Sequence, residues 1–146
     1  MFLPPWHQRL TTLGGVVLNK PIRRTILIAY LALVLLATLA PLSGDMYAAV
    51  STFDKLAHIG LFAGVASLAV LNTTYRWQAA LRAVILTSVL AALIELVQGV
   101  LPFRSADWWD LWAGVLGACI GATFAMAVHR MIRTFPGQGV QRTPER

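Results

Sequence analysis

Charge is what this 146-residue chain has least of: Asp, Glu, Lys and Arg together make up 12% of it, against about a quarter in ordinary soluble domains. Acids are scarcest, six against 12 Lys and Arg. There is one cysteine, Cys119, which excludes an intrachain disulfide and a thiolate metal site. It lies in an apolar run among small residues and reads as packing filler. Nothing is left over for a second domain once the apolar runs are counted. The formal charge of +6 does not point to nucleic acid, because the basic residues are scattered between apolar runs instead of gathered on one polar face.

What is present is apolar: 58% of the residues are hydrophobic. They fall into four runs, Thr25 to Leu42, Leu56 to Leu71, Ala79 to Leu101 and Trp108 to Val128. Each is long enough, or nearly so, to cross a hydrocarbon core of roughly 30 Å at about 1.5 Å per residue. A backbone in lipid must satisfy its own hydrogen bonds, so each run is predicted to be helical. "NTTYR" and "LPFRS" are short connections, so sequence neighbours should be spatial neighbours. The predicted fold is an all-α polytopic membrane protein, a bundle of four transmembrane helices with short hairpin loops. Residues 1–24 form an N-terminal arm, read as interfacial or disordered, 25–130 the membrane domain and 131–146 a flexible tail. The first run also resembles a signal peptide, but Pro41 directly after "ATLA" and the length of the run count against cleavage.

Ten of the 12 basic residues lie in the arm, the second connection and the tail; only Lys55 and Arg104 fall on the opposite side. By the positive-inside rule both termini are expected in the cytoplasm, with the chain in the bacterial inner membrane. Five of the six acids, Asp45, Asp54, Glu95, Asp107 and Asp110, then fall on the outer half, with Glu145 inside. That rule says little about acids, so their one-sidedness needs another cause. Depth and helical phase supply it. His58, Glu95 and Asp110 come within roughly 10 Å of the outer boundary, Asp54 and His58 share a face at i, i+4, and Glu95 and Gln98 at i, i+3. In the fourth run Asp107, Asp110, Gly114, Gly117 and Gly121 form one stripe, and Ala57, Gly60, Gly64 and Ser67 form a small-residue stripe in the second. Small residues let membrane helices pack closely, so both stripes are expected to seat the bundle and aim the polar groups inward.

Each candidate also has a structural reading. Asp54, Lys55, Arg104 and Asp107 lie near the interface, where charges are readily solvated or paired. Glu95 is deeper, where a carboxylate costs about 2.5 kcal/mol or more unless neutralised or paired; it reads as part of a site or of a polar lock. Trp108, Trp109 and Trp112 read as an interfacial belt.

These residues form two motifs, and with them the chain resembles the VanZ-like family, small polytopic membrane proteins named for a member associated with teicoplanin resistance. The first motif resembles D-K-x-x-H-x-x-x-F, here Asp54, Lys55, His58 and Phe62. The second resembles E-x-x-Q and then R-x-x-D-x-x-D, here Glu95, Gln98, Arg104, Asp107 and Asp110. Where the family pattern often continues with Asn, this chain has Gly114, followed by the expected Gly117. The resemblance implies a cell-envelope role involving an amphiphile or lipid-linked ligand, including a lipoglycopeptide.

Three functions follow as expectations. The first is an outer-face site formed by Asp54, Lys55, His58, Glu95, Gln98, Arg104, Asp107 and Asp110 that binds an amphiphilic or lipid-linked ligand, with Lys55, Arg104 and His58 holding an anionic head group. The second is an intramembrane enzyme in which His58 and Glu95 form an acid–base pair. The third is a bundle whose polar groups only lock helices and which acts through a partner protein. With one histidine on this face, no metal site and no cofactor is expected. The expected partners are membrane lipids and that ligand, not nucleic acid. Four spans without an internal repeat disfavour alternating-access transport unless the chain oligomerises.

Overall fold

The apolar runs become helices whose ends are placed by local capping chemistry more than by hydropathy. The computed structural model describes residues 11–13, 16–41, 53–73 and 76–134. Its helices are α1 (Lys20–Leu39), α2 (Asp54–Leu71), α3 (Trp77–Gln98) and α4 (Trp108–Thr134). All four are long and apolar enough to cross a membrane, so the chain is an all-α, multi-pass membrane fold. Asp45, the first residues of the arm with Trp6 and His7, and the tail with Glu145 lie outside the described residues.

Helix α1 begins at Lys20, upstream of the predicted Thr25, because Asn19 accepts a hydrogen bond from the Ile22 N–H at 3.2 Å and Pro21 stands in the first turn. Its basic residues are thus helical. It stops at Leu39 because Ala40, the residue before Pro41, is extended. Helix α3 ends at Gln98 instead of Leu101, leaving a loop from Gly99 to Asp107. Ahead of α1, β1 (Thr11–Leu13) and β2 (Val16–Leu18) pair antiparallel, with Thr11 opposite Leu18; the Gly-Gly pair between "TTL" and "VVL" was the available sequence signal for this hairpin.

The helices meet through small residues. A methyl group on Gly117 or Gly121 of α4 would run into the main chain of α2 at Ile59 or Ala63, so these glycines allow direct backbone approach. Ser67 donates to the Gly121 oxygen across the same seam at 2.9 Å. Below it Ala66, Val70, Ala83, Ala118, Ala122 and Ala125 are buried together; above it Val34, Phe62, Val65, Ala91 and Ile94 form a second cluster.

The predicted small stripe of α2 divides. Ser67 joins the α4 seam, but Gly64 lies under the Tyr30 ring of α1 and Gly60 faces open space. Helix α2 is clasped on two sides, and one stripe cannot face both. Cys119, read as packing filler, is exposed on α4. Ile28, Leu36, Leu86, Leu96 and Phe124 are between 64% and 69% exposed, which marks a perimeter suited to hydrocarbon rather than water.

Candidate functional site

One end of the bundle gathers the last turns of α1 and α3 and the first turns of α2 and α4, and all eight predicted site residues lie there. They divide into two groups with different work.

The first group ties elements together. Proline at position 41 has no N–H to offer the Ala37 oxygen, so the final carbonyls of α1 need outside donors. Gln98 of α3 supplies one, its Nε2 donating to Thr38 O at 2.7 Å. Arg104 supplies another, its Nη2 donating to Thr38 O at 2.9 Å and to Ala37 O at 3.4 Å. Asp107 caps α4, its Oδ1 accepting from the Trp109 N–H at 2.8 Å. Its Oδ2 meets Lys55 Nζ of α2 at 3.0 Å, and its own N–H is received by Glu95 Oε1 of α3. The Trp109 N–H and then the Lys55 ammonium hold the Asp107 carboxyl below the usual carboxylate range. Glu95, buried to 7% exposure, is therefore satisfied by the loop that starts α4.

The second group is Asp54, His58 and Asp110. His58 is 3% exposed and Asp110 6%. His58 Nδ1 lies 3.1 Å from Asp54 O and 3.5 Å from Asp54 Oδ1. A carbonyl oxygen only accepts, so Nδ1 carries a proton and the lone pair of the neutral ring is on Nε2. That Nε2 is buried without a hydrogen-bond partner, as is Asp110 Oδ1, although Lys55 Nζ lies 3.5 Å from the latter. The ring stacks on Phe62, with centroids 5.8 Å apart and planes at 22°. Gly114 admits this packing: a Cβ there would stand 2.9 Å from Ala91 Cβ and 3.2 Å from the Phe62 ring. An Asn at this position would need the space that Phe62 fills.

Ligand atoms of Asp54, His58 and Asp110 lie within 4.8 Å of one another, close enough for one ligand donor or one divalent cation to bridge them. The expectation of no metal rested on the count of histidines; one imidazole with two carboxylates is a donor set of mixed hardness that suits borderline or hard divalent ions. His58, anticipated as the acid–base partner of Glu95, has Asp54 as its hydrogen-bond partner, and Glu95 accepts from the loop ahead of α4. Thr38, whose carbonyl receives two side chains, was missed; Pro41, which leaves Ala37 O without its usual donor, was the available signal. Around the cluster Trp108, Trp109 and Trp112 are 77%, 69% and 62% exposed, pointing away from the bundle as a belt does.

A family model described as VanZ/LLP1 matches residues 16–130 of this chain. Comparison with curated proteins and with solved structures returns no match.

Proposed function

The chain belongs to the VanZ/LLP1 family, and from that premise we propose that it is a cell-envelope membrane protein whose buried His58 cluster receives the head group of an amphiphilic or lipid-linked ligand. The observation that carries this reading is the His58 ring, clamped at Nδ1 and stacked on Phe62 while Nε2 has no partner. A buried nitrogen without a partner costs about 1–3 kcal/mol, and the cost is recovered when a donor arrives. Exposed tryptophans beside it offer a surface for the apolar part of the same molecule.

Charge narrows the head group. Lys55 is engaged by Asp107 and Asp110, and Arg104 by α1 carbonyls. Four carboxylates, on Asp54, Glu95, Asp107 and Asp110, stand against those two cations, so an anionic head group is repelled. Hydroxyl or ammonium groups fit, as on an amino sugar or a lipoglycopeptide, and a teicoplanin-type antibiotic belongs to this class of ligand. The distribution of Lys and Arg supports an orientation with both termini in the cytoplasm and this end outside, in the inner membrane.

A catalytic reading has one observation in its favour: Nε2 is placed to take a proton, with Asp54 orienting the ring. It differs from the binding reading in predicting turnover of a lipid-linked substrate.

The test compares His58→Ala and Asp110→Asn with the wild type for stability in detergent, retention of teicoplanin by the purified protein, and envelope phenotype. Ligand retention and phenotype lost together, with the unfolding midpoint kept, supports the site. Equal retention in wild type and variants sinks it, and product formed from a lipid-linked substrate by the wild type alone moves the assignment to an enzyme.

A further inference from the structure

The opposite end of the bundle has a different chemistry. There the starts of α1 and α3 and the end of α2 line an open cleft of about 590 Å³. Three cations line it, Lys20, Arg23 and Arg82, together with Asn72, Thr73 and an apolar wall that reaches Leu86, and none of the described lining residues is acidic. It shares no residue with the His58 cluster.

The fold builds this cleft from helix ends. Arg23 Nη1 donates to Leu71 O at 2.6 Å, one of the last carbonyls of α2, and Asn72 Nδ2 donates back to Arg23 O at 3.1 Å. This exchange holds the guanidinium of α1 against the end of α2, with its Nε buried and without a hydrogen-bond partner. The starts of α1 and α3 also bring two positive dipole ends to this region. Three cations, Arg23 held in place and Lys20 and Arg82 exposed beside it, with helix starts nearby and no acid among the described lining residues, make a receptor for an anion.

Depth identifies the kind of anion. Trp77, 69% exposed, opens α3 at the level where interfacial tryptophans sit. Leu86 lies about 13 Å further along the helix axis at 1.5 Å per residue, well inside the hydrocarbon. The cleft therefore runs from head-group level down an apolar wall, and basic recesses between transmembrane helices are a recognised seat for anionic lipid head groups. We infer that this cleft binds the phosphate group of an anionic phospholipid, with Lys20, Arg23 and Arg82 around the phosphate and the wall formed by Ala83 and Leu86 along an acyl chain.

The test uses the full chain purified in neutral detergent, probed separately with phosphatidylglycerol, phosphatidylcholine and inorganic phosphate, with the thermal midpoint and native mass spectra as readouts. Phosphatidylglycerol is expected to raise the midpoint and to remain bound in the spectra, whereas phosphatidylcholine does neither. In the double variant Lys20→Gln/Arg82→Gln, both positions being exposed, affinity for phosphatidylglycerol should fall about tenfold or more, as for the loss of two charge-assisted contacts, with the midpoint of the lipid-free protein unchanged. Inorganic phosphate reproducing the shift and displacing the lipid supports the anion site and assigns it to a soluble phosphate. Equal effects of the two lipids, or equal binding by wild type and variant, overturn the proposal. If the double variant unfolds, the single variant Arg82→Lys, which keeps the charge and loses the fork, decides by the same lipid comparison.

Discussion

His58 Nδ1 lies 3.1 Å from the main-chain oxygen of Asp54, one turn back along the same helix. That contact determines which ring nitrogen carries the proton and leaves Nε2 as the reactive edge. Ring-labelled ¹⁵N spectra of the protein, recorded at a pH where the ring is neutral, should show the single proton on Nδ1 and not on Nε2. His58→Asn, whose amide can still reach the Asp54 oxygen, should keep the unfolding midpoint near that of the wild type and lose ligand retention. A variant that keeps retention would remove Nε2 from the site.

Glu95 divides a charge requirement from an acceptor requirement. Its Oε1 takes the Asp107 N–H, a role that the amide oxygen of glutamine can fill. Glu95→Gln should therefore leave fold and phenotype close to the wild type, whereas Glu95→Ala should cost about 1–3 kcal/mol by leaving that N–H unpaired. Denaturant titration in micelles checks both. Loss of phenotype in a fully folded Glu95→Gln protein would instead make the carboxylate itself part of the chemistry.

Gly114→Asn introduces the residue that the resembled motif often carries at this position, and here it should destabilise. The new Cβ would stand 2.9 Å from Ala91 Cβ and 3.2 Å from the Phe62 ring, and overpacking of this kind costs about 1–3 kcal/mol. Pairing it with Ala91→Gly should recover part of the loss. A Gly114→Asn protein as stable as the wild type would mean that Phe62 and the stacked His58 ring move aside readily.

Gly121→Ala tests the α2–α4 seam, where the added methyl meets the Ala63 main chain. Backbone cannot rotate away as a side chain can, so the helices must separate. A cysteine pair placed across the seam should crosslink more slowly in the variant, and an unchanged rate would count against direct backbone contact.

Acid should loosen the start of α4. Asp107 is held below its ordinary range by the Trp109 N–H and Lys55. Its contribution is therefore complete above the unfolded carboxylate value and is lost as pH falls through the lower folded value. The side chain is 38% exposed, so the effect is small. Hydrogen exchange at Trp109 should accelerate in acid in the wild type, while Asp107→Asn should show a flatter dependence.

Much of this was legible in the sequence. Four apolar runs could satisfy their backbones in lipid only as helices, and an even number of crossings with short connections brings the ends carrying Asp54, Gln98 and Asp110 to one side. The division of that side into ties and a receptive centre was not legible. Periodicity places Glu95 and His58 on inward faces, but whether they pair depends on shifts of an ångström or two, which the loop after Gly99 controls. The arm's boundary was missed for a local reason: the Asn19 cap extends α1 back into a basic segment that hydropathy alone assigns to water.

Sequence by itself determines the class of the protein, its four spans, the one-sided grouping of its acids and the stripe of glycines on α4, because these follow from composition and from spacing along a helix. Only the tertiary structure decides that Gln98 and Arg104 serve the carbonyls of α1, that Glu95 is occupied by the Asp107 N–H, and that the His58 edge is left without a partner. Those outcomes depend on which atoms of distant residues come within hydrogen-bonding distance, and no pattern along one chain direction encodes that.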